Sequence, residues 1–131
     1  MTNQELLDYA AYELGYIEYG ASLDATDAAD ALATLNDMMA EWEINDKYMD
    51  WFPQDTLGDT APIPAWASSG VKSSLAMRLG AVFNVAPSQA LALKADIGER
   101  TIANHVINTD LTGSDMSHLG HSGRWDIETD V

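Results

Sequence analysis

The chain has 131 residues, no cysteine and a formal charge of −15, from 21 acidic and six basic residues. This length suits one domain with a modest core, and the lack of cysteine excludes disulfides and thiolate metal sites. Duplex DNA binding is excluded because it needs clustered Lys and Arg. The longest apolar-leaning stretch, residues 61–71, contains two prolines and is far shorter than the roughly 20 residues of a membrane span. We therefore expect a soluble protein with no membrane partner.

The charge is unevenly placed along the chain. Residues 1–60 hold fourteen acids and one base, whereas residues 61–109 hold two acids and four bases. The acidic half of one copy would therefore suit the basic half of an identical copy, a head-to-tail contact that can close into a ring. The four bases, predicted to contact a neighbouring subunit or a tail protein, are Lys72, Arg78, Lys94 and Arg100. The alternative is an acidic surface that only confers solubility.

Helix 1 is predicted at residues 3–14. A capping box, Thr2 with Glu5, marks its start, and Gly15 suits the left-handed position after its end. Its predicted buried face consists of Leu6, Leu7, Ala10, Ala11 and Leu14.

Helix 2 is predicted from a cap at Asp24 or Thr26 to about Glu43. Its buried stripe has residues at i, i+3, i+7 and i+10, namely Leu32, Leu35, Met39 and Trp42. Asp24, Asp27 and Asp30 lie near its start. Because they lack the glycine turn and terminal glutamate of a calcium loop, we interpret them as first-turn charge that favours the helix dipole.

Residues 44–64 lose this periodicity and predict a loop of about twenty residues, into which a short extended pair at 47–52 would fit. Loops of this length inside a compact domain are often functional. The adjacent aromatics Trp51 and Phe52 are predicted to contact a tail protein or a neighbouring subunit. Core packing of one of the two rings is the alternative.

Helix 3 is predicted from about Pro64 to Asn84, and helix 4 over residues 88–108. The main stripe of helix 3 consists of Trp66, Val71, Leu75, Leu79, Val82 and Phe83, and a second row has only small side chains: Ser69, Ser73, Ala76 and Gly80. One face of helix 4 carries Leu91, Ala95, Gly98, Ile102 and Val106. A glycine inside a helix costs ~1 kcal/mol relative to alanine. We therefore expect close packing at Gly70, Gly80 and Gly98.

Residues 110–131 are polar and glycine-rich and are predicted to form a flexible C-terminal arm that follows the helical domain of residues 1–109. Trp125 and Ile127 are its predicted partner-binding anchors. His118 and His121 would bind a metal only if further ligands converged. The predicted fold is all-α, an up-down bundle of about four helices with a long loop between helices 2 and 3 and an extended arm.

Motifs for catalysis are missing from the sequence. It has no glycine-rich phosphate loop, no Gly-x-Ser-x-Gly, no His-Glu-x-x-His and no cysteine nucleophile. Its 21 carboxylates would allow the acid pair of a glycoside hydrolase, but the sequence selects no particular pair. We therefore predict a protein that is not an enzyme, with no catalytic, metal-binding or cofactor-binding residues.

Short motifs along residues 2–108 resemble one known family. In the first half they are Leu14-Gly15, Gly20, and the Leu-Asn-x-Met-Met-x-x-Trp motif of Leu35, Asn36, Met38, Met39 and Trp42. In the second half they are Pro64-x-Trp66, Ser-Ser-Leu-Ala-Met-Arg-Leu-Gly at 73–80, and Ala86-Pro87 before an alanine-rich helix. With these motifs the chain resembles the head-to-tail adaptor proteins of short-tailed phages, also called packaged-DNA stabilisation or tail accessory factors.

The resemblance implies a structural protein of the virion neck, assembled in the host cytoplasm. Twelve copies of such an adaptor form a ring below the portal protein after packaging, extend and help close the DNA channel, and offer a platform for the next tail or nozzle protein. DNA would pass through without specific binding. The C-terminal segment of these adaptors reaches the portal, so Trp125 and Ile127 would dock there. The alternatives are a peptidoglycan hydrolase of the phage tail and an acidic helical regulator or DNA mimic.

Overall fold

The computed structural model describes residues 1–114, with side chains up to residue 109, and its regular elements are all helical. The helices are α1 (Asn3–Leu14), α2 (Ala25–Trp42), α3 (Ser68–Val82) and α4 (Gln89–Ser114), with a 3-10 turn at Ala65–Ala67 before α3. Within the described range there is no β-strand. The predicted all-α fold of four helices with a long α2–α3 loop is therefore confirmed. The predicted anchors and histidines of the arm lie outside the described residues: His118, His121, Trp125 and Ile127.

The ends of α1 follow the sequence signals. The Thr2 hydroxyl accepts from the Glu5 amide (3.1 Å), and the Thr2 amide donates to the Glu5 carboxylate (2.8 Å). The bond from the Thr2 amide lowers the pKa of the Glu5 carboxyl because it favours the ionised form. Gly15 ends the helix at φ 93°. The predicted capping box and left-handed glycine are both confirmed.

The loop between α2 and α3 returns to α1 and caps it. The amide of Asn3 donates to the Asp59 carbonyl and that of Gln4 to the Leu57 carbonyl, both at 2.9 Å. First-turn amides have no acceptor within their own helix, so these bonds satisfy two of them. One isolated antiparallel bridge, between Thr2 and Thr60, lies beside them.

The short extended pair at 47–52 is a wrong prediction. Residues 47–56 contain no strand. Asp46 and Asp50 adopt φ values of 62° and 61°, which turn the chain away from an extended path. Aspartate tolerates this left-handed conformation better than most residues, because its short side chain can bond locally.

Helix α3 lies at the centre of the molecule and contacts all three other helices. Val71, Leu75 and Leu79 are fully buried along the predicted stripe. Trp66 is 39% exposed and Val82 is 43% exposed, so the buried stripe is shorter than predicted. Trp66 belongs to the 3-10 turn, whose three residues per turn shift it out of register with α3. Val82 is the last residue of the helix.

Helices α3 and α4 touch backbone to backbone where Gly70 meets Gly98. A Cβ atom on Gly98 would lie 2.6 Å from the Cα of Gly70, and one on Gly70 would lie 2.7 Å from Cδ1 of Ile102. The predicted close approach is confirmed here. At Gly80 the tight neighbours are Val85 and Pro87, so this glycine accommodates the α3–α4 connection instead of a second helix.

Helix α4 continues six residues beyond its predicted end at 108. No glycine or proline occurs between Gly98 and Gly113, so nothing in this stretch interrupts the helical backbone. Ser114 is the last residue of α4 that the structure describes. Across the described chain, no helix has the length and hydrophobicity needed to cross a membrane.

Candidate interaction surfaces

The side chain of Asn36 on α2 fixes the middle of the long loop. Its Nδ2 donates to the Gln54 carbonyl (2.8 Å), and its Oδ1 accepts from the Gln54 amide (2.9 Å). The buried Gln54 side chain accepts from Asn3 Nδ2 (2.9 Å) and donates to the Phe52 carbonyl (2.9 Å). Asn3 Nδ2 also donates to the Thr56 carbonyl. The loop is thereby bonded to two helices.

These contacts explain the motif that carries the family resemblance. Leu35 and Met38 are fully buried, and Met39 and Trp42 are 2% and 1% exposed. The apolar positions of Leu-Asn-x-Met-Met-x-x-Trp therefore build the core, and Asn36 positions the loop. Sequence reasoning identified the stripe but missed the role of Asn36, because its partner lies 18 residues away.

The two loop aromatics have different environments. Trp51 is half-buried and packs against the core, whereas Phe52 is 60% exposed. Core packing of one ring and exposure of the other is the alternative that the sequence left open. Phe52 is therefore the member of the pair that is accessible to a partner.

Arg78 joins α3 to α2. Its guanidinium bonds to both carboxylate oxygens of Glu41, at 2.7 and 3.4 Å. The hydrogen bonds from Arg78, together with its positive charge, lower the pKa of Glu41. This pair is exposed, so solvent screens it and its contribution to stability is small.

Lys94 joins α4 to α1 through Glu13. Its ammonium group pairs with the Glu13 carboxylate, which also accepts from the Ser73 hydroxyl at 3.3 Å. The Glu13 side chain is only 8% exposed. Its hydrogen bond with the Lys94 ammonium, together with its negative charge, raises the pKa of Lys94. A carboxylate on α1 is thus held by groups from α3 and α4.

The other bases also contact their own chain. Lys72 lies 4.3 Å from the centre of the Tyr9 ring, and Arg100 bonds to Asp96 one turn earlier on α4 at 2.7 Å. The four bases predicted to face a neighbour, Lys72, Arg78, Lys94 and Arg100, therefore form no single basic patch. Each is engaged with a different acidic or aromatic group of the same chain.

The predicted first-turn role of the α2 acids is visible in the hydrogen bonds. Asp24 caps the helix by accepting from the Asp27 amide at 2.8 Å. Asp27 accepts from the Tyr16 hydroxyl at 2.7 Å, which raises the pKa of that tyrosine because the bond stabilises its protonated form. Among the described residues, no three His, Asp or Glu side chains come close enough to hold a metal ion.

Sequence reasoning missed a cluster of exposed tyrosines on and after α1. Tyr9 and Tyr12 meet edge to face with ring centres 5.8 Å apart, and Tyr12 and Tyr19 do so at 5.3 Å. We call Tyr9, Tyr12 and Tyr19 the tyrosine surface. The sequence does contain a pattern that could have indicated this cluster: tyrosines recur at i, i+3, i+7 and i+10, namely Tyr9, Tyr12, Tyr16 and Tyr19.

A second surface, also missed, lies between the loop and α4. Trp66 stacks on His105 with ring centres 3.8 Å apart. They line a depression of about 530 Å³, together with Tyr48, Met49 and Val106. Its residues come from three separate segments, so no local spacing could have indicated it.

Comparison with known proteins adds no family assignment. No protein-family model matches this chain, and no curated protein is significantly similar to it. The likeness to phage adaptors therefore depends on the short motifs described above.

Proposed function

We propose that this protein is a head-to-tail adaptor of a short-tailed phage. It would dock as a ring under the portal, extend and help close the DNA channel after packaging, and form a platform for further tail proteins. The observation that carries the proposal is the arrangement around Asn36: the residues that carry the resemblance to the adaptor family build the bundle core and fix the long loop on it. A ring subunit needs such rigidity because its loops must meet neighbours in a fixed geometry.

An outward stripe on α4 supports contact with identical neighbours. Leu93, Ile97 and Ile107 are 60%, 51% and 42% exposed. At 100° per residue they lie within roughly 40° of one line along the helix. A heterologous ring contact would cover these side chains, and it would leave the paired bases in place.

The charge distribution supports passage of DNA without specific binding. Residues 1–60 carry fourteen acids and one base. If this half faces the channel, its negative potential repels DNA phosphates and prevents the DNA from adhering to the wall.

The test is binding to the portal ring of the encoding phage. Deletion of residues 115–131 keeps all of α4 that the structure describes, which extends to Ser114. We expect the truncated chain to keep its helical circular dichroism signal and to lose portal binding in a pull-down. The double variant W125A/I127A should also lose it, because these side chains are the proposed anchors. Native mass spectrometry of the intact complex should show twelve copies.

The matched control is H118A/H121A, which changes two other side chains of the same arm and should bind normally. Unchanged portal binding by the truncated chain would refute the proposed docking. Clearing of peptidoglycan in a zymogram would instead favour a tail hydrolase. Capture of a basic DNA-binding protein, with no affinity for the portal, would favour an acidic regulator or DNA mimic.

A further inference from the structure

The tyrosine surface has three aromatic rings open to solvent. Tyr9, Tyr12 and Tyr19 are 38%, 40% and 80% exposed. Tyrosine combines a large rigid ring with a polar hydroxyl and is common among the residues that dominate binding at protein interfaces. The Tyr12 ring packs edge to face against both of the others, and this packing preorganises the platform because it limits ring motion.

Fixed negative charge borders this platform. Glu5 and Asp8 line the same depression of about 420 Å³ as the three tyrosines, and no lining residue is basic. The Asp8 carboxylate accepts from the Ser22 hydroxyl (2.6 Å) and from the Leu23 amide (2.9 Å). Both carboxylates are therefore held in place by hydrogen bonds of their own chain and project charge across the depression.

The same face already holds two cations of its own chain. The ammonium of Lys72 lies 4.3 Å from the centre of the Tyr9 ring. Lys94 pairs with Glu13, and both line a second depression with Tyr9 and Tyr12. Aromatic faces and carboxylates attract cations by complementary electrostatics. The tyrosine surface thus has the chemistry of a cation-binding surface, with Tyr12 and Tyr19 not covered by a described base.

A second copy of the chain has no such cation to offer from its described part. Residues 1–109 contain five bases, and each contacts its own chain: Lys47 with Glu99, Lys72 with Tyr9, Arg78 with Glu41, Lys94 with Glu13 and Arg100 with Asp96. The cation that binds the tyrosine surface must therefore come from outside residues 1–109 of a second copy. Arginine suits the surface better than lysine, since its flat guanidinium stacks on rings while donating to carboxylates.

We propose that the tyrosine surface binds an arginine-bearing segment of a different protein. Rings of Tyr12 and Tyr19 receive the guanidinium, and Glu5 and Asp8 supply the compensating charge. The inference does not depend on the head-to-tail role, because it follows from contacts on α1 and the connection after it.

The test uses the full chain and fluorescein-labelled hexaarginine and hexalysine, followed by fluorescence anisotropy. We expect hexaarginine to bind more tightly than hexalysine. The variants Y12A and Y19A keep the net charge, and each should weaken hexaarginine binding about tenfold and remove the preference over hexalysine. Circular dichroism checks that both variants remain folded, as their exposed positions lead us to expect.

The matched control is Y48A, which removes a tyrosine that is 46% exposed in the long loop. It should bind hexaarginine like the unaltered chain. If the unaltered chain, Y12A, Y19A and Y48A all bound hexaarginine with equal affinity, the attraction would come from net charge alone and the proposal would be overturned. Self-association of the full chain that is lost both in Y19A and in R124A would assign the surface to the arm of a second copy, and would overturn the assignment to a different protein.

Discussion

At the scale of single residues, polar side chains decide where the long loop lies. Asn36 matches one donor and one acceptor of the Gln54 backbone, a pairing that resembles one rung of a β-ladder. The Gln54 side chain then bonds to Asn3, which is fully buried. An amide buried without partners would be costly, so these three residues stabilise one loop conformation over the others.

Replacement of Asn36 tests this role. In N36A the amide and carbonyl of Gln54 lose their partners in a half-buried site. We expect the free energy of unfolding to fall by about 1–3 kcal/mol, measured by urea denaturation. The Gln54 amide should also exchange with deuterium faster. N104A, which truncates an exposed asparagine on α4, is the control and should change stability little. A stable N36A with a protected Gln54 amide would contradict the assignment.

At the scale of elements, the α3–α4 pair is set by small residues. Glycines at the crossing allow backbone contact between Gly70 and Gly98. Two effects oppose each other when a glycine here is replaced by alanine. The helix gains ~1 kcal/mol in propensity, and the added methyl group strains the packing by about 1–3 kcal/mol.

The strain should dominate in G98A. Its Cβ would lie 2.6 Å from a backbone atom of Gly70, which cannot move aside as a flexible side chain would. We expect a net loss of up to about 2 kcal/mol in the free energy of unfolding, measured by urea denaturation. The control is G58A in the loop, where an added Cβ meets nothing within 4 Å. Its stability should be equal or slightly higher. A G98A protein as stable as G58A would refute the tight crossing.

At the scale of the whole molecule, a charge of −15 opposes compaction. Salt has two opposite effects on such a protein: it screens repulsion among the acids, and it weakens ion pairs. Exposed pairs such as Arg78 with Glu41 are screened by solvent and contribute little to stability, so the effect of weakening them is small. The fourteen acids of residues 1–60 face a single base in the same half. Relief of repulsion should therefore dominate.

Thermal unfolding in NaCl measures this balance. Between about 20 mM and about 0.5 M NaCl we expect Tm to rise by about 4 °C, equivalent to about 1 kcal/mol for a domain of this size. D37N/E43Q serves as comparison, since it removes two exposed acids in the C-terminal half of α2 and just after it, where the helix dipole disfavours them. It should be more stable at low salt and respond less to NaCl. A Tm that falls with added salt would show that ion pairs dominate.

The sequence by itself determined the features that depend on near neighbours. The capping box at Thr2 and the left-handed Gly15 set α1, since a helix terminus needs local partners for its free amides and carbonyls. Apolar spacing set the buried stripe of α2 because a helix repeats every 3.6 residues. The glycine argument located close packing at Gly70 and Gly98, although it did not show that these two residues face each other.

Only the tertiary structure decided the features that join distant segments. Asn36 and Gln54 are 18 residues apart, and Lys94 and Glu13 are 81 apart. Such pairings depend on how the helices pack, and many acids of similar local context compete for each base. For the same reason the sequence indicated an exposed Trp51-Phe52 pair but could not tell which ring is covered. Local rules thus define the helices, and long-range packing defines the surfaces that they present.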